Sequence, residues 1–154
     1  MATKKKVGIK VPTKNEILKK YGSMIIQASD TKEPGLWLPS TFFNLNYTLG
    51  GGFPWGKVTE IAGEESSGKS LIALNAAYAC QQLGGSVIWV DAEQSWMNSW
   101  AELNGIDPNK VTVIRDTRIE YISDAVADVA IYLRSQLVNN EPILLVVDSV
   151  AAIG

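Results

Sequence analysis

Gly63-Glu64-Glu65-Ser66-Ser67-Gly68-Lys69-Ser70 reads G-x-x-x-x-G-K-[ST], the spacing at which successive backbone N–H groups converge on an anion. Lys69 supplies a cation for the β- and γ-phosphates of a nucleoside triphosphate, and Ser70 supplies a hydroxyl for Mg²⁺. The glycines matter sterically, because backbone wrapped tightly around an anion needs positive φ and no Cβ in the way. Carboxylates recur downstream. Five apolar residues, 143–147, deliver Asp148, the pattern of a Walker B acid that holds Mg²⁺ directly or through water. A second apolar run delivers Asp91-Ala92-Glu93, and a carboxylate near the γ-phosphate can orient or deprotonate an attacking water. If that strand continues, Asp91 and Glu93 point the same way and spacing does not choose between them. Trp96 and Trp100 stand at i and i+4, which predicts one shared helical face, available for packing or for stacking Trp100 on a base.

These residues need elements to position them. Val58-Thr59-Glu60-Ile61-Ala62 reads as a short β-branched strand ahead of the glycine loop, and Leu71 onward reads as a helix. Strand, loop and helix N-terminus is the order an anion site requires. The alternation then continues: strand 58–62, helix 69–83, strand 86–91, helix about 96–104, strand 111–114, helix 120–138, strand 143–147 with Asp148 at its end. Strands that are apolar throughout and separated by helices predict an α/β fold with a mostly parallel sheet covered on both faces. Ligands sit beyond the carboxyl ends of such strands, where Glu93 and Asp148 lie.

Upstream, Thr13-Lys14-Asn15-Glu16 fits a capping box for a helix running to Tyr21, stopped by Gly22. A strand at 24–27, a loop around 32–35 and an amphipathic helix over 41–49 ending at Gly50-Gly51-Gly52 complete the pattern. Two parts are expected, a basic N-terminal segment over 1–40, whose small helix must dock on its own domain or on a neighbour, and a nucleotide-binding core over 41–154.

At 154 residues, 46% hydrophobic and 19% charged, the composition is that of an ordinary globular domain with a sizeable core. No apolar run approaches the roughly 20 residues of a membrane span, and no signal-peptide pattern opens the chain. Cys80 is the single cysteine and there is no histidine, so an intrachain disulfide is ruled out and a zinc site has too few ligands. A cytoplasmic setting without membrane contact is expected. Residues 1–20 carry seven Lys against one Glu, whereas the remainder carries seven basic and fifteen acidic groups. The lysine-rich start reads as a solvated end, with an electrostatic contact to DNA or to a neighbouring subunit as the alternative, and the acidic body is a poor surface for duplex DNA.

Gly63–Ser70 with its Glu64-Glu65-Ser66-Ser67 interior, Val90-Asp91-Ala92-Glu93, and Val147-Asp148-Ser149-Val150-Ala151-Ala152 resemble the RecA family of homologous-recombination ATPases. Leu49–Ile61 and Ile17–Ser23 are similar to the same family's approaches, so the likeness covers most of 14–152 in order and spacing. It implies a RecA-like P-loop NTPase core, with its sheet incomplete after the Walker B strand. It implies ATP held by Gly63, Glu65, Ser66, Ser67, Gly68, Lys69, Ser70 and Leu71, with Trp100 against the adenine where the family has a Tyr. Glu93 and Lys69 are implied as catalytic, and Ser70 and Asp148 as the Mg²⁺ side. Two departures stand out: Met97 replaces a family Asp near the base, and Glu64 replaces the loop's usual Pro. Single-stranded DNA is the implied partner, bound through chain beyond this segment, in a homo-oligomeric helical filament. A RecA-fold helicase, a RadA-like ATPase, or a nucleotide-binding fragment without turnover are the other readings. The Cys cluster that would favour RadA is missing.

Overall fold

The computed structural model describes residues 12–24 and 35–154, and the chain divides into two compact units, 1–33 and 34–154. In the first unit, α1 (Lys14–Tyr21) begins with the expected capping box. Glu16 N donates to Thr13 Oγ1 at 3.3 Å and Thr13 N donates to Glu16 Oε2 at 2.8 Å, so two of the helix's orphan donors are satisfied reciprocally. Gly22 closes α1 with positive φ, and a 3₁₀ turn follows over Gly22–Met24. Of the strand expected over 24–27, Met24 belongs to that turn, and 25–27 lie outside the described residues, as does most of the loop at 32–35.

The second unit opens with a two-residue antiparallel ladder between β1 (Trp37–Leu38) and β2 (Phe53–Pro54). Between them runs α2 (Phe43–Leu49), capped by Gly50 in the left-handed region. Gly52 is required here: its φ is +126°, and a Cβ would collide with the Leu38 carbonyl.

The main sheet has three strands in the order β4–β3–β5, all parallel, namely β3 (Ser86–Asp91), β4 (Val111–Ile114) and β5 (Ile143–Asp148). Between them lie α3 (Lys69–Gln82), α4 (Asn98–Leu103) and α5 (Ile119–Gln136). Alternation sorts the side chains between two faces. Val87, Trp89, Val111, Val113, Leu144 and Val146 pack with Leu74, Ala77 and Cys80 of α3. Small residues on α3 let the helix lie close to the sheet, which is why the buried side of this helix is alanine-rich. Val90, Leu145 and Val147 turn the other way, toward Ile122 and Val126 of α5, around a groove of about 580 Å³. Leu145 stays 47% exposed there, because α5 leaves part of β5 uncovered. Sequence reading and structure agree on a parallel sheet with helices on both faces.

One element departs from expectation. Val58–Ala62 does not form a strand. Its β-branched pattern supplies propensity, but a strand exists only as part of a ladder, and the segment pairs with none of β3, β4 or β5. Val58 is 97% exposed, and none of the backbone N–H groups from Val58 to Gly63 donates to an acceptor among the described residues.

Candidate functional site

The glycine loop leads directly into α3. Gly68 is the helix N-cap with φ +92°, and Ser66 also takes positive φ, at 59°. The loop is tied internally by Ser67 N donating to Glu64 O at 3.3 Å. The first N–H of α3 with a protein acceptor is that of Ile72, to Gly68 O at 3.1 Å. The N–H groups of Gly68, Lys69, Ser70 and Leu71 have no acceptor among the described residues. Unpaired donors at the start of a 14-residue helix are the arrangement to which an anion is ordinarily attracted. Lys69 lies against the same loop: its Nζ donates to Gly63 O at 3.1 Å and to Glu64 O at 2.7 Å. Glu65, Ser66, Ser67, Ser70 and Leu71 are all exposed around it.

The two strand-end acids of the sheet stand side by side, because Asp91 and Asp148 are register partners across β3 and β5. Their fates differ. The Asp91 carboxylate is fully buried and accepts from Ser95 N at 2.8 Å, Ser95 Oγ at 3.3 Å, Trp96 N at 3.1 Å and Arg115 Nε at 3.2 Å. Its lone pairs are spent holding the following loop. Glu93 is exposed. The expectation of a shared side is therefore corrected: β3 ends at Asp91, and Gln94 turns the chain with φ 55° while its N–H donates to Asp91 O. The turn sends Glu93 outward, where its Oε1 accepts from Ser149 Oγ at 2.6 Å. A backbone bond from Ala92 N to Asp148 O, 3.1 Å long, ties the same two segments. The Asp148–Ser149 peptide is cis.

The same buried carboxylate also holds the backbone of Trp96. Trp96 gives its N–H to Asp91, and Met97 after it is extended at the N-cap of α4, which begins at Asn98. Trp96 and Trp100 thus share no helical face. Trp96 packs on Trp89 with centroids 5.0 Å apart and donates Nε1–H to Asn98 Oδ1 at 2.8 Å. Trp100 is 45% exposed on α4, open to a planar ligand in a way Trp96 is not. Met97, at the N-cap of α4, is 60% exposed.

Sequence reading missed Arg115 and named Ser149 only as the neighbour of Asp148 in the family motif. Arg115 follows β4 and bridges to Asp91 and, through Nη2, to Trp96 O at 3.3 Å. Ser149 follows β5. The available signal was position alone, since each is the first polar residue past the carboxyl end of a parallel strand, where sites form. Nearby, the Arg118 side chain bonds Asp116 at 2.6 Å and holds that carboxyl well below the usual carboxylate range.

The donors suit a Mg²⁺–nucleotide. Ser70 hydroxyl and Asp148 carboxylate are hard oxygen ligands, and Mg²⁺ is ordinarily held by one or two carboxylates together with phosphates and water. No cluster of three or more His, Cys, Asp or Glu able to hold a metal occurs among the described residues, and a site of the Mg²⁺–nucleotide kind needs none. No helix among them is long and apolar enough to cross a membrane.

Comparison with known proteins bears directly on this arrangement. Residues 10–154 match the family described as RecA N-terminal domain. The chain is 37% identical to Protein RecA of Malacoplasma penetrans over 139 residues, covering 90% of this chain and 40% of the relative. It is 31% identical to Protein RecA of Bacteroides thetaiotaomicron over 157 residues, 99% of this chain and 45% of that one. Against Protein RecA of Chlorobaculum parvum it is 43% identical over 110 residues, 71% of this chain and 30% of the relative. The chain thus spans less than half the length of the relatives it matches.

Proposed function

The chain belongs to the RecA family, and we propose that it provides the ATP-binding core of a DNA recombinase that assembles as a filament on single-stranded DNA in the cytoplasm. Binding falls to the orphan N–H groups of Gly68–Leu71 with Lys69, whose ammonium exchanges the Gly63 and Glu64 carbonyls for the β- and γ-phosphates. Ser67 lines the loop and Trp100 stacks on the adenine. Ser70 and Asp148 would hold Mg²⁺, which would supply neutralisation of charge on the phosphates. Glu93 orients and deprotonates the attacking water, and Lys69 stabilises charge developing on the transferred phosphoryl group.

The single observation that carries this reading is the division of labour between the two acids after β3. Asp91 is spent on the fold and Glu93 is left outside beside Ser149 and the end of β5. The test is nucleotide binding and single-strand-stimulated ATP hydrolysis by the protein beside its Lys69→Ala and Glu93→Gln variants. Lys69→Ala is expected to weaken ATP binding by about tenfold or more. Glu93→Gln is expected to bind ATP normally and lose turnover by about a hundredfold or more. ATP affinity that survives Lys69→Ala unchanged overturns the loop assignment.

A further inference from the structure

Ser149 occupies the N-cap position of the 3₁₀ turn Val150–Ala152, where a serine hydroxyl ordinarily accepts from a backbone N–H of the turn it opens. It makes no such bond. Its hydroxyl instead reaches across 56 residues of sequence to donate to Glu93 Oε1 at 2.6 Å, the length of a charge-assisted O–H···O⁻ bond. No other hydrogen bond to Glu93 occurs among the described residues. The carboxylate is thereby held by one oxygen and free at the other. The support behind it is stiff on both sides. Ala92 N is bonded to Asp148 O, and the loop that follows is clamped by buried Asp91.

We propose that Ser149 is a positioning residue for Glu93: its hydroxyl fixes Oε1 so that Oε2 is presented to the attacking water. This deepens, and rests on, the ATPase reading above. In the step it serves, the water oxygen bonds to the γ-phosphorus while the bond to the bridging oxygen breaks. The electron pair of that bond stays with the ADP leaving group, and the water proton passes to Glu93 Oε2. A carboxylate free to rotate presents the accepting lone pair only part of the time. Fixing it removes that loss without touching the nucleotide. The signature is therefore a fall in kcat with KM unmoved.

The experiment compares wild type, Ser149→Ala, Ser149→Thr, Glu93→Gln and the Ser149→Ala/Glu93→Gln double variant. Ser149→Ala is expected to lower kcat for ATP hydrolysis about tenfold, the worth of one hydrogen bond to a charged group, while KM changes less than about twofold. Ser149→Thr restores most of the loss, and Ser149→Ala adds nothing once Glu93 is Gln. A second readout needs no nucleotide: with ¹³C-labelled glutamate, the Glu93 carboxylate resonance, identified by its loss in Glu93→Gln, moves in Ser149→Ala and returns in Ser149→Thr. An unmoved resonance, an unchanged kcat, a KM that rises as far as kcat falls, or additive losses in the double variant each overturn the role of Ser149. A wild type that hydrolyses ATP no faster than Glu93→Gln overturns the ATPase reading itself, and the role of Ser149 falls with it.

Discussion

Replacing Asp91 by Asn removes a charge and changes almost nothing in shape, so it isolates what the buried carboxylate does. Four donors converge on it: Ser95 N, Ser95 Oγ, Trp96 N and Arg115 Nε. Asn keeps one acceptor oxygen, which can retain Ser95. Its NH₂ must then face Trp96 N–H and Arg115 Nε–H, two donors against a donor. The Arg115 side chain is 52% exposed and can turn to water at little cost, so that contact is discounted. The Trp96 N–H cannot turn away without moving the loop. Losing charge-assisted bonds at a fully buried acceptor and leaving one backbone donor unsatisfied costs about 3 kcal/mol. For a domain of this size that lowers Tm by about 6–12 °C. The assay is thermal unfolding followed by tryptophan fluorescence, since Trp96 packs on Trp89 and reports the loop. Arg115→Ala is the matched control and should cost less than about 1 kcal/mol. An Asp91→Asn protein within about 1 kcal/mol of wild type refutes the view that Asp91 is spent on the fold, and reopens it as a rival to Glu93.

Two further outcomes follow from the same geometry. Trp100→Ala should weaken adenine-nucleotide binding about fivefold to tenfold, and Trp100→Tyr should keep most of it; titration with a fluorescent ATP analogue measures both, and equal affinities exclude stacking by this residue. Burial pushes the Cys80 thiol up to about 11, against a smaller opposing pull from the Leu144 backbone N–H. Because the folded form holds the proton more tightly than the unfolded one, this contribution is complete below about pH 9 and is lost as pH rises toward 11. Urea-unfolding midpoints should fall across that window in wild type and stay flatter in Cys80→Ala.

The legible parts of this chain are those fixed by neighbours in sequence. Thr13 and Glu16 announced the start of α1 because a capping box is a four-residue device. The strand ends at Asp91 and Asp148 were legible because an apolar run stopped by an acid needs no partner to be seen. The unreadable parts depend on contacts remote in sequence. Val58–Ala62 carries a strand's residue types and forms none, since a strand exists only where a neighbour pairs with it and the ladder joins β4, β3 and β5 alone among the described residues. Trp96 and Trp100 carry a helix's spacing and share no helix, since Met97 between them is extended and α4 begins only at Asn98.

By itself, the sequence determined the glycine loop with Lys69 and Ser70, the alternating α/β plan and the family to which the chain belongs, because each is written in local pattern and spacing. Only the tertiary structure shows Asp91 buried and Glu93 exposed. Two carboxylates two residues apart are equivalent on paper. The parallel register of β3 with β5 and the turn at Gln94 bury the first and expose the second. The partner that reaches Glu93, Ser149, comes from 56 residues away, and no spacing within one strand could have pointed to it.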